Sequence, residues 1–530
     1  MSHAARNPLK AHLIGGGIAS LAAAAILIRD GDVRGIDITI YEELPWLGGS
    51  LDGTGSAERG YVLRGGRMLE SKYLCTYNLF DSIPTLDKTK TVTEEIFEWN
   101  KVIHTSSKSR LVRAAEPIDR PKFNLAEHHI FALEKLVIEP ESMLGDSSIA
   151  DHFDDAFFET NFWLMWCTTF AFQPWHSAVE FKRYLLRFAH MINGFSQLQG
   201  IMRTVYNQNE SMILPLRRWL EERGVTFELN TEVVDLGFSP TEDGEAVCAI
   251  YCRKEGWPMR VPVARGDVVI ATLGSMTEAS DIGSMDKAPA THHCQKSGSW
   301  ALWKSIARGR PALGKPDAFA GHIDDSKWIS FTVTTKSPEL FRHIRDLTGN
   351  VPGEGGLITF ADSRWLLSIV LPHQPHFRNQ PADVQVLWGY ALNVDAPGDF
   401  VDKAMSACTG REILTELLGH LGFQDEKQEI IDRSICLPCM MPYITSQFLR
   451  RKKGDRPDIL PKGYSNLAIV GQFCEQPEDV VFTVEYSIRS AMSAVYGLLG
   501  LKKTPPPVYK GLFNPWQFYV AQLALHDKIA

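Results

Sequence analysis

The sequence predicts an α/β protein whose parallel sheet is assembled from widely separated stretches of chain. Three observations predict it. A strand–glycine turn–helix–strand unit opens the chain, short apolar runs bounded by glycine recur far downstream, and 530 residues exceed one compact core. Ala11 to Ile14 is the first apolar run, Gly15-Gly16-Gly17-Ile18-Ala19-Ser20 is the turn, and the alanine-rich stretch to Ile28 favours helix. Ile36 to Tyr41 alternates, is rich in β-branched residues and ends at Glu42-Glu43, so it reads as the second strand. Val225 to Leu229 and Val268 to Thr272, bounded by Gly224, Gly266 and Gly274, read as further strands. Leu467 to Val470 follows as a strand, Gly471 to Asp479 as a loop and Thr483 to Leu499 as a long helix.

These pieces predict one discontinuous domain from residues 1–84, 200–279 and 460–503, with an inserted α+β region from 85–199 and 280–459 facing the substrate. Phe162-Trp163-Leu164-Met165-Trp166 and Phe170 to Trp175 crowd aromatic rings into the first insertion, where they read as core. Lys502-Lys503-Thr504-Pro505-Pro506-Pro507 is a stiff polar linker to a helical tail, 504–530, with aromatic residues between Phe513 and Leu525. The tail is expected to pack on the body, with peripheral contact to a membrane surface as the alternative.

Composition removes several function classes. A formal charge of −8 without a long basic run argues against nucleic acid, and Arg450-Arg451-Lys452-Lys453 reads as a solvated loop. Ala19 to Ile28 is about half a membrane span and follows a glycine loop, so neither a signal peptide nor a spanning helix is expected. Nine scattered cysteines fit a reducing cytoplasm better than a disulfide framework. Cys436-Leu437-Pro438-Cys439 lacks a second ligand pair, and no metal site is expected.

Gly15-x-Gly17-x-x-Ser20, set between a strand and a helix, is a dinucleotide loop with serine as its third small residue. Backbone amides at the helix start would hold a pyrophosphate, and Glu42, followed by Glu43, would accept from the adenosine ribose. No second such loop follows, so the cofactor is assigned as FAD rather than as a nicotinamide. Gly49 and Ser50, Thr272 and Gly274, and Gly471 are further cofactor contacts. In Arg64-Gly65-Gly66-Arg67 the glycines permit close backbone approach and the arginines supply forked donors.

The sequence resembles the oleate hydratase family, also called myosin-cross-reactive antigens. The matching words are Gly48-Gly49-Ser50-Leu51-Asp52-Gly53, Arg64-Gly65-Gly66-Arg67, Ser82-Ile83-Pro84-Thr85-Leu86, Phe170-Ala171-Phe172, Trp175-His176-Ser177-Ala178, Tyr206-Asn207-Gln208, Gln374-Pro375-His376-Phe377 and Gly471-Gln472-Phe473. The resemblance implies an FAD-containing fold of amine-oxidase type. It also implies addition of water to the cis-9 double bond of a free fatty acid, oleic acid to 10-hydroxystearic acid, without net flavin redox change. By the same resemblance Tyr184 is the proton donor, and Gln208 and His376 hold the carboxylate. The family's Thr-x-Asn is Val370-Leu371-Pro372 here, which leaves His373 and Arg378 as substitutes.

The family's water-activating glutamate is Met68 in this chain, and methionine cannot accept a proton. Glu70 would share a face with Met68 in an extended segment, so it is the candidate replacement. Two other readings use the same scaffold: an FAD-dependent redox enzyme of amine-oxidase, isomerase or desaturase type, and a lipid-binding flavoprotein with impaired catalysis. About ten residues precede Ala11, fewer than in many dimeric relatives, which predicts a monomer or a weak homodimer.

Overall fold

A computed structural model describes residues 9–242, 244–292, 297–423 and 425–528. Most of the segment before Ala11, on which the expectation of weak association rests, lies outside the described residues, as do residues 529–530 of the tail.

Five short strands form a parallel sheet: β1 (Ala11–Ile14), β2 (Ile38–Tyr41), β3 (Thr226–Glu228), β4 (Val268–Thr272) and β5 (Leu467–Val470), in the order β5-β4-β1-β2-β3. Ala11 lies opposite both Ile38 and Val268, and Val269 lies opposite Leu467. The central strand β1 is buried along its whole length, as expected of a parallel sheet covered on both faces. Four helices bear on the site: α1 (Ile18–Arg29), α2 (Ala178–Phe188), α3 (Val484–Leu498) and α4 (Pro515–Leu525). Ala22 to Ala25 are fully buried, and these small side chains let α1 pack closely against α3. Because β1, β4 and β5 run in one direction, the turns after Ile14, Thr272 and Val470 converge on one crevice, where open α/β sheets bind ligands.

Between β3 and β4 lies a three-stranded antiparallel sheet, Thr231–Thr241, Gly244–Lys254 and Trp257–Pro262. A separate mixed sheet has eight strands. The two strands at one end, Ser109–Arg113 and the edge strand Glu116–Asp119, come from the first insertion and the rest from residues 281–441. Parallel pairing of Leu111 with Thr359 joins them, so both insertions build one wall. That wall is tied to the cofactor side at two points: the backbone amides of Tyr61 and Leu63 donate to Thr334 Oγ1 at 2.9 Å and Thr332 Oγ1 at 3.1 Å.

Phe162, Trp163 and Trp166 are buried in core, as their crowding suggests. The basic cluster is not a solvated loop throughout. Arg451 is buried and pairs with Glu180 and Glu475, both at 3.0 Å, because the buried Glu180 on α2 needs cations around it. Helix α4 buries Ala521 and Ala524 on the body, and Asp527 accepts the Phe123 and Asn124 amides at 2.7 and 3.1 Å. Trp516, Phe518 and Tyr519 on the same helix are exposed. Among the described residues no helix is long and apolar enough to cross a membrane, and the eight cysteines are free thiols.

Candidate active site

A cavity of about 910 Å3 lies over the ends of β1, β4 and β5, within the ~300–1,000 Å3 usual for cofactor clefts. Gly15 turns the chain at φ +93, a conformation open to glycine, with its Cα facing Thr272. Gly17 caps α1 with no side-chain partner for the first amides, leaving the helix start free to hold an anion. Ser20, fully buried, shares a hydroxyl contact with Thr272 at 3.2 Å. Glu42 locks the glycine turn: its two oxygens accept the Gly16 amide at 2.6 Å and the Leu44 amide at 2.8 Å. Each oxygen keeps a lone pair that a ribose hydroxyl can use. Glu43, Gly49, Ser50, Gly274 and Gly471 line the same cavity.

The two arginines of the Arg-Gly-Gly-Arg loop differ. Arg64 lines the cofactor cavity, but its guanidinium is already committed, bidentate to Asp52 at 3.0 and 2.7 Å and bonded to the Thr277 and Gly49 carbonyls. It fixes the loop. Arg67 makes one side-chain bond, to the Ser50 carbonyl at 2.9 Å, and its buried Nε has no partner. Burial lowers its pKa to about 10. The glycines between them are required by crowding: a Cβ on Gly66 would stand 2.7 Å from the Trp388 ring, and one on Gly65 2.7 Å from Arg67 Nε.

Beyond this loop lies a chamber of about 140 Å3 lined by Met68, Glu70, Tyr184, Phe170, Phe482 and Trp328. It shares Ile18, Ser50, Met276, Gln472 and Ser487 with the cofactor cavity. Tyr184, on the largely buried α2, is 1% exposed and donates its phenolic proton to the Val481 carbonyl at 2.6 Å. Burial pushes that phenol far above its ordinary pKa, so it stays protonated. The carbonyl belongs to a tight turn in which Phe482 has φ +69 and donates its amide to Gln472 Oε1.

Met68 and Glu70 line the same chamber, and Leu69–Glu70 pairs with Ile201–Met202 as a short strand. Glu70 is 1% exposed and held tightly: Arg187 Nη2 lies 2.6 Å from Oε1, His190 Nε2 3.6 Å from Oε2, and the Lys72 amide donates at 2.7 Å. The Arg187 contact is an ion pair without hydrogen-bond alignment, leaving Oε1 an acceptor to spare. Burial alone would raise the Glu70 pKa, but the His190 bond and the Arg187 charge outweigh it and hold the carboxyl below its ordinary value.

A second, polar pocket adjoins the chamber and shares Ser50, Gly65, Gly66, Arg67, Gln208 and Trp388 with it. Gln208 is buried with neither Nε2 nor Oε1 bonded, and the Trp388 indole N–H is also unpartnered. His376 lines this pocket, and burial, reinforced by Arg203, drives its pKa down to about 3, so the ring is neutral. His373 lines it too. Arg378 does not: its guanidinium sits over the Tyr206 ring, 4.4 Å from the centroid. The sequence gives no notice of Arg187 or Arg203, although Arg203, five residues before Gln208 and next to Ile201-Met202, is a charge set in an apolar run.

Comparison with known proteins places this geometry. The fold is that of solved amine oxidases. Cyclohexylamine oxidase from Brevibacterium oxydans IH-35A superposes with a TM-score of 0.52 at 11% identity, over 93% of this chain and 99% of that one. The chain is 37% identical over 536 residues to an oleate hydratase of Streptococcus pyogenes serotype M49 (strain NZ131), covering 98% of this chain and 90% of that protein. It is 35% identical over 546 residues to a linoleate hydratase of Lactiplantibacillus plantarum, covering 94% and 95%. The family model for the MCRA family matches residues 9–496, and the chain belongs to that family.

Proposed function

We propose that this protein is a fatty-acid hydratase that binds FAD and adds water to the cis-9 double bond of oleic acid, giving 10-hydroxystearic acid. The observation that carries the reading is the chamber itself: a buried phenol and a buried carboxylate face one small cavity between the cofactor crevice and a polar pocket of unbonded donors. FAD fits the crevice by volume, by the glycine turn at an uncapped helix start and by the Glu42 carboxylate. When bound, it would supply a flat polar surface beside the chamber and no net electrons.

An isolated alkene is a very weak base, so its protonation needs a positioned acid, exclusion of bulk water and stabilisation of developing positive charge. Tyr184 gives its proton to one alkene carbon after swinging from the Val481 carbonyl, and the water oxygen bonds the other carbon. The proton that water loses restores the phenol, so one C–H and one C–O bond form as the π bond is lost. Glu70, held ionised, orients the water through its free acceptor at Oε1, in place of a base at Met68. Gln208 and His376 hold the substrate carboxylate.

The test is incubation of the FAD-loaded protein with oleate in heavy-oxygen water. The expected product is 10-hydroxystearic acid carrying one heavy oxygen, and Tyr184→Phe is expected to lower the rate about 100- to 10,000-fold with FAD retained. Peroxide or a desaturated product would instead mark a redox enzyme. Oleate binding without any product would mark an impaired binder.

A further inference from the structure

We propose that Arg203 is the counter-ion of the substrate carboxylate, so that this pocket selects a free acid by charge and not only by hydrogen bonds. The inference rests on the fatty-acid reading above and adds the residue that sets its headgroup specificity.

Two of the three guanidinium nitrogens of the half-buried Arg203 are enclosed but unused. Its Nε and Nη2 are buried with no hydrogen-bond partner, and among the described residues no carboxylate pairs with it. Only its backbone is engaged, donating to Asn100 Oδ1 at 3.0 Å and accepting from Asn100 Nδ2 at 2.7 Å. These bonds fix where the side chain starts, and the side chain then lines the polar pocket beside Gln208 and His376.

A buried cation without an anion costs free energy that the fold recovers only when an anion arrives. The surrounding groups do not serve as that anion: Asp52, the carboxylate lining the pocket, is already bidentate to Arg64. His376 is neutral, with Arg203 itself among the charges that keep it so, and Gln208 is an uncharged amide with both ends free. The pocket therefore carries two guanidiniums, Arg67 and Arg203, with its one lining carboxylate, Asp52, balanced by Arg64, and an incoming carboxylate meets both the excess charge and the unsatisfied donors. Val370 and Pro372 line the pocket without a polar side chain, so that side offers no hydrogen bond and charge carries more of the recognition. A residue kept for a ligand in this way lowers the stability of the free protein, which separates it from a structural arginine.

The experiment measures oleate and methyl oleate binding to the FAD-loaded protein by titration calorimetry, in the wild type, Arg203→Met and Arg203→Lys, with thermal midpoints taken without lipid. Arg203→Met is expected to weaken oleate about 10- to 100-fold, the range for a hydrogen bond to a charged group, and to leave methyl oleate unchanged. Arg203→Lys is expected to recover part of the loss, and the lipid-free midpoint of Arg203→Met is expected to hold or rise. Equal weakening of both lipids, undiminished oleate binding or a lowered midpoint would each overturn the proposal. Binding is read without turnover. A wild type that prefers oleate but forms no hydroxy acid defeats the hydration reading alone, and one that binds neither lipid defeats both.

Discussion

Glu70 and Arg203 are charges enclosed in two connected pockets, and the fold treats them in opposite ways. Glu70 is surrounded by Arg187, His190 and a backbone amide, so its charge is balanced before any substrate enters. Arg203 has no such partner. A balanced buried charge belongs to the protein's own stability, whereas an unbalanced one is reserved for a ligand. The same distinction separates Arg64, bidentate to Asp52, from Arg67, whose Nε is unbonded in the chamber wall.

The largest way to break this contrast is to remove the balancing partner of Glu70. Arg187→Met leaves a buried carboxylate without its cation and is expected to cost about 3–5 kcal/mol near neutral pH. The pH dependence should weaken as well. In the wild type the folded pKa of Glu70 is depressed, so its contribution is present above the unfolded value near 4.5 and is lost as pH falls through the folded value. In the variant the His190 bond and the Lys72 amide still oppose burial but the Arg187 charge does not, so the depression is smaller and less stability is lost as pH falls. Urea midpoints at pH 3 and pH 5 check this, and parallel slopes in the two proteins would show that Arg187 does not hold Glu70.

The balanced and the unbalanced charges were not equally legible in the sequence. The strand–turn–helix–strand unit, the late strand at Leu467–Val470 and its following helix are local patterns, and local patterns survive translation into structure. The glycine loop and Glu42 are likewise local, since the turn places the carboxylate on the Gly16 amide. What stayed hidden depends on distant partners. Leu111 pairs with Thr359 across some 250 residues of chain, and no periodicity in either segment announces it. Arg451 looks like part of a solvated basic run until α2 brings Glu180 against it. Arg203 is conspicuous only because nothing pairs with it, and the absence of a partner becomes visible only when the surroundings are known.

A smaller effect is expected at the cofactor crevice, where among the described residues Glu42, Glu43 and Glu278 line the wall outside any ion pair. Burial raises Glu278 to about 7, with the Glu43 charge adding to the rise, against bonds from Ser299 and Trp300. Burial also raises Glu42 and Glu43. For Glu278 the sign is opposite to that of Glu70. Its stabilising contribution is complete below the unfolded value near 4.5 and is lost as pH rises through about 7. Glu278→Gln removes that loss and keeps an acceptor for the Ser299 amide, so between pH 5 and pH 8 the thermal midpoint should fall less than in the wild type. The difference should correspond to about 1–3 kcal/mol, after discounting the ~1.36 kcal/mol per pKa unit for lost charge-assisted bonds. An identical fall in both proteins would place the pH dependence elsewhere.

The smallest effect is expected at Met68, where the contrast between the two pockets is sharpest chemically. Met68→Glu restores a carboxylate to the chamber beside Glu70, which is already balanced and already has an acceptor free at Oε1. Arg187 and His190 are engaged by Glu70, so the new group meets burial and a like charge together, both of which raise its pKa. It becomes a stronger base than Glu70, active only at higher pH. If Glu70 orients the water, the hydration rate at neutral pH should change by less than about tenfold, below the ~100-fold and more that a missing general base contributes. The rate profile should gain a limb that rises toward alkaline pH. A gain of about 100-fold would instead mean that Glu70 is only the fixed partner of Arg187, and that the wild type works without a base at all.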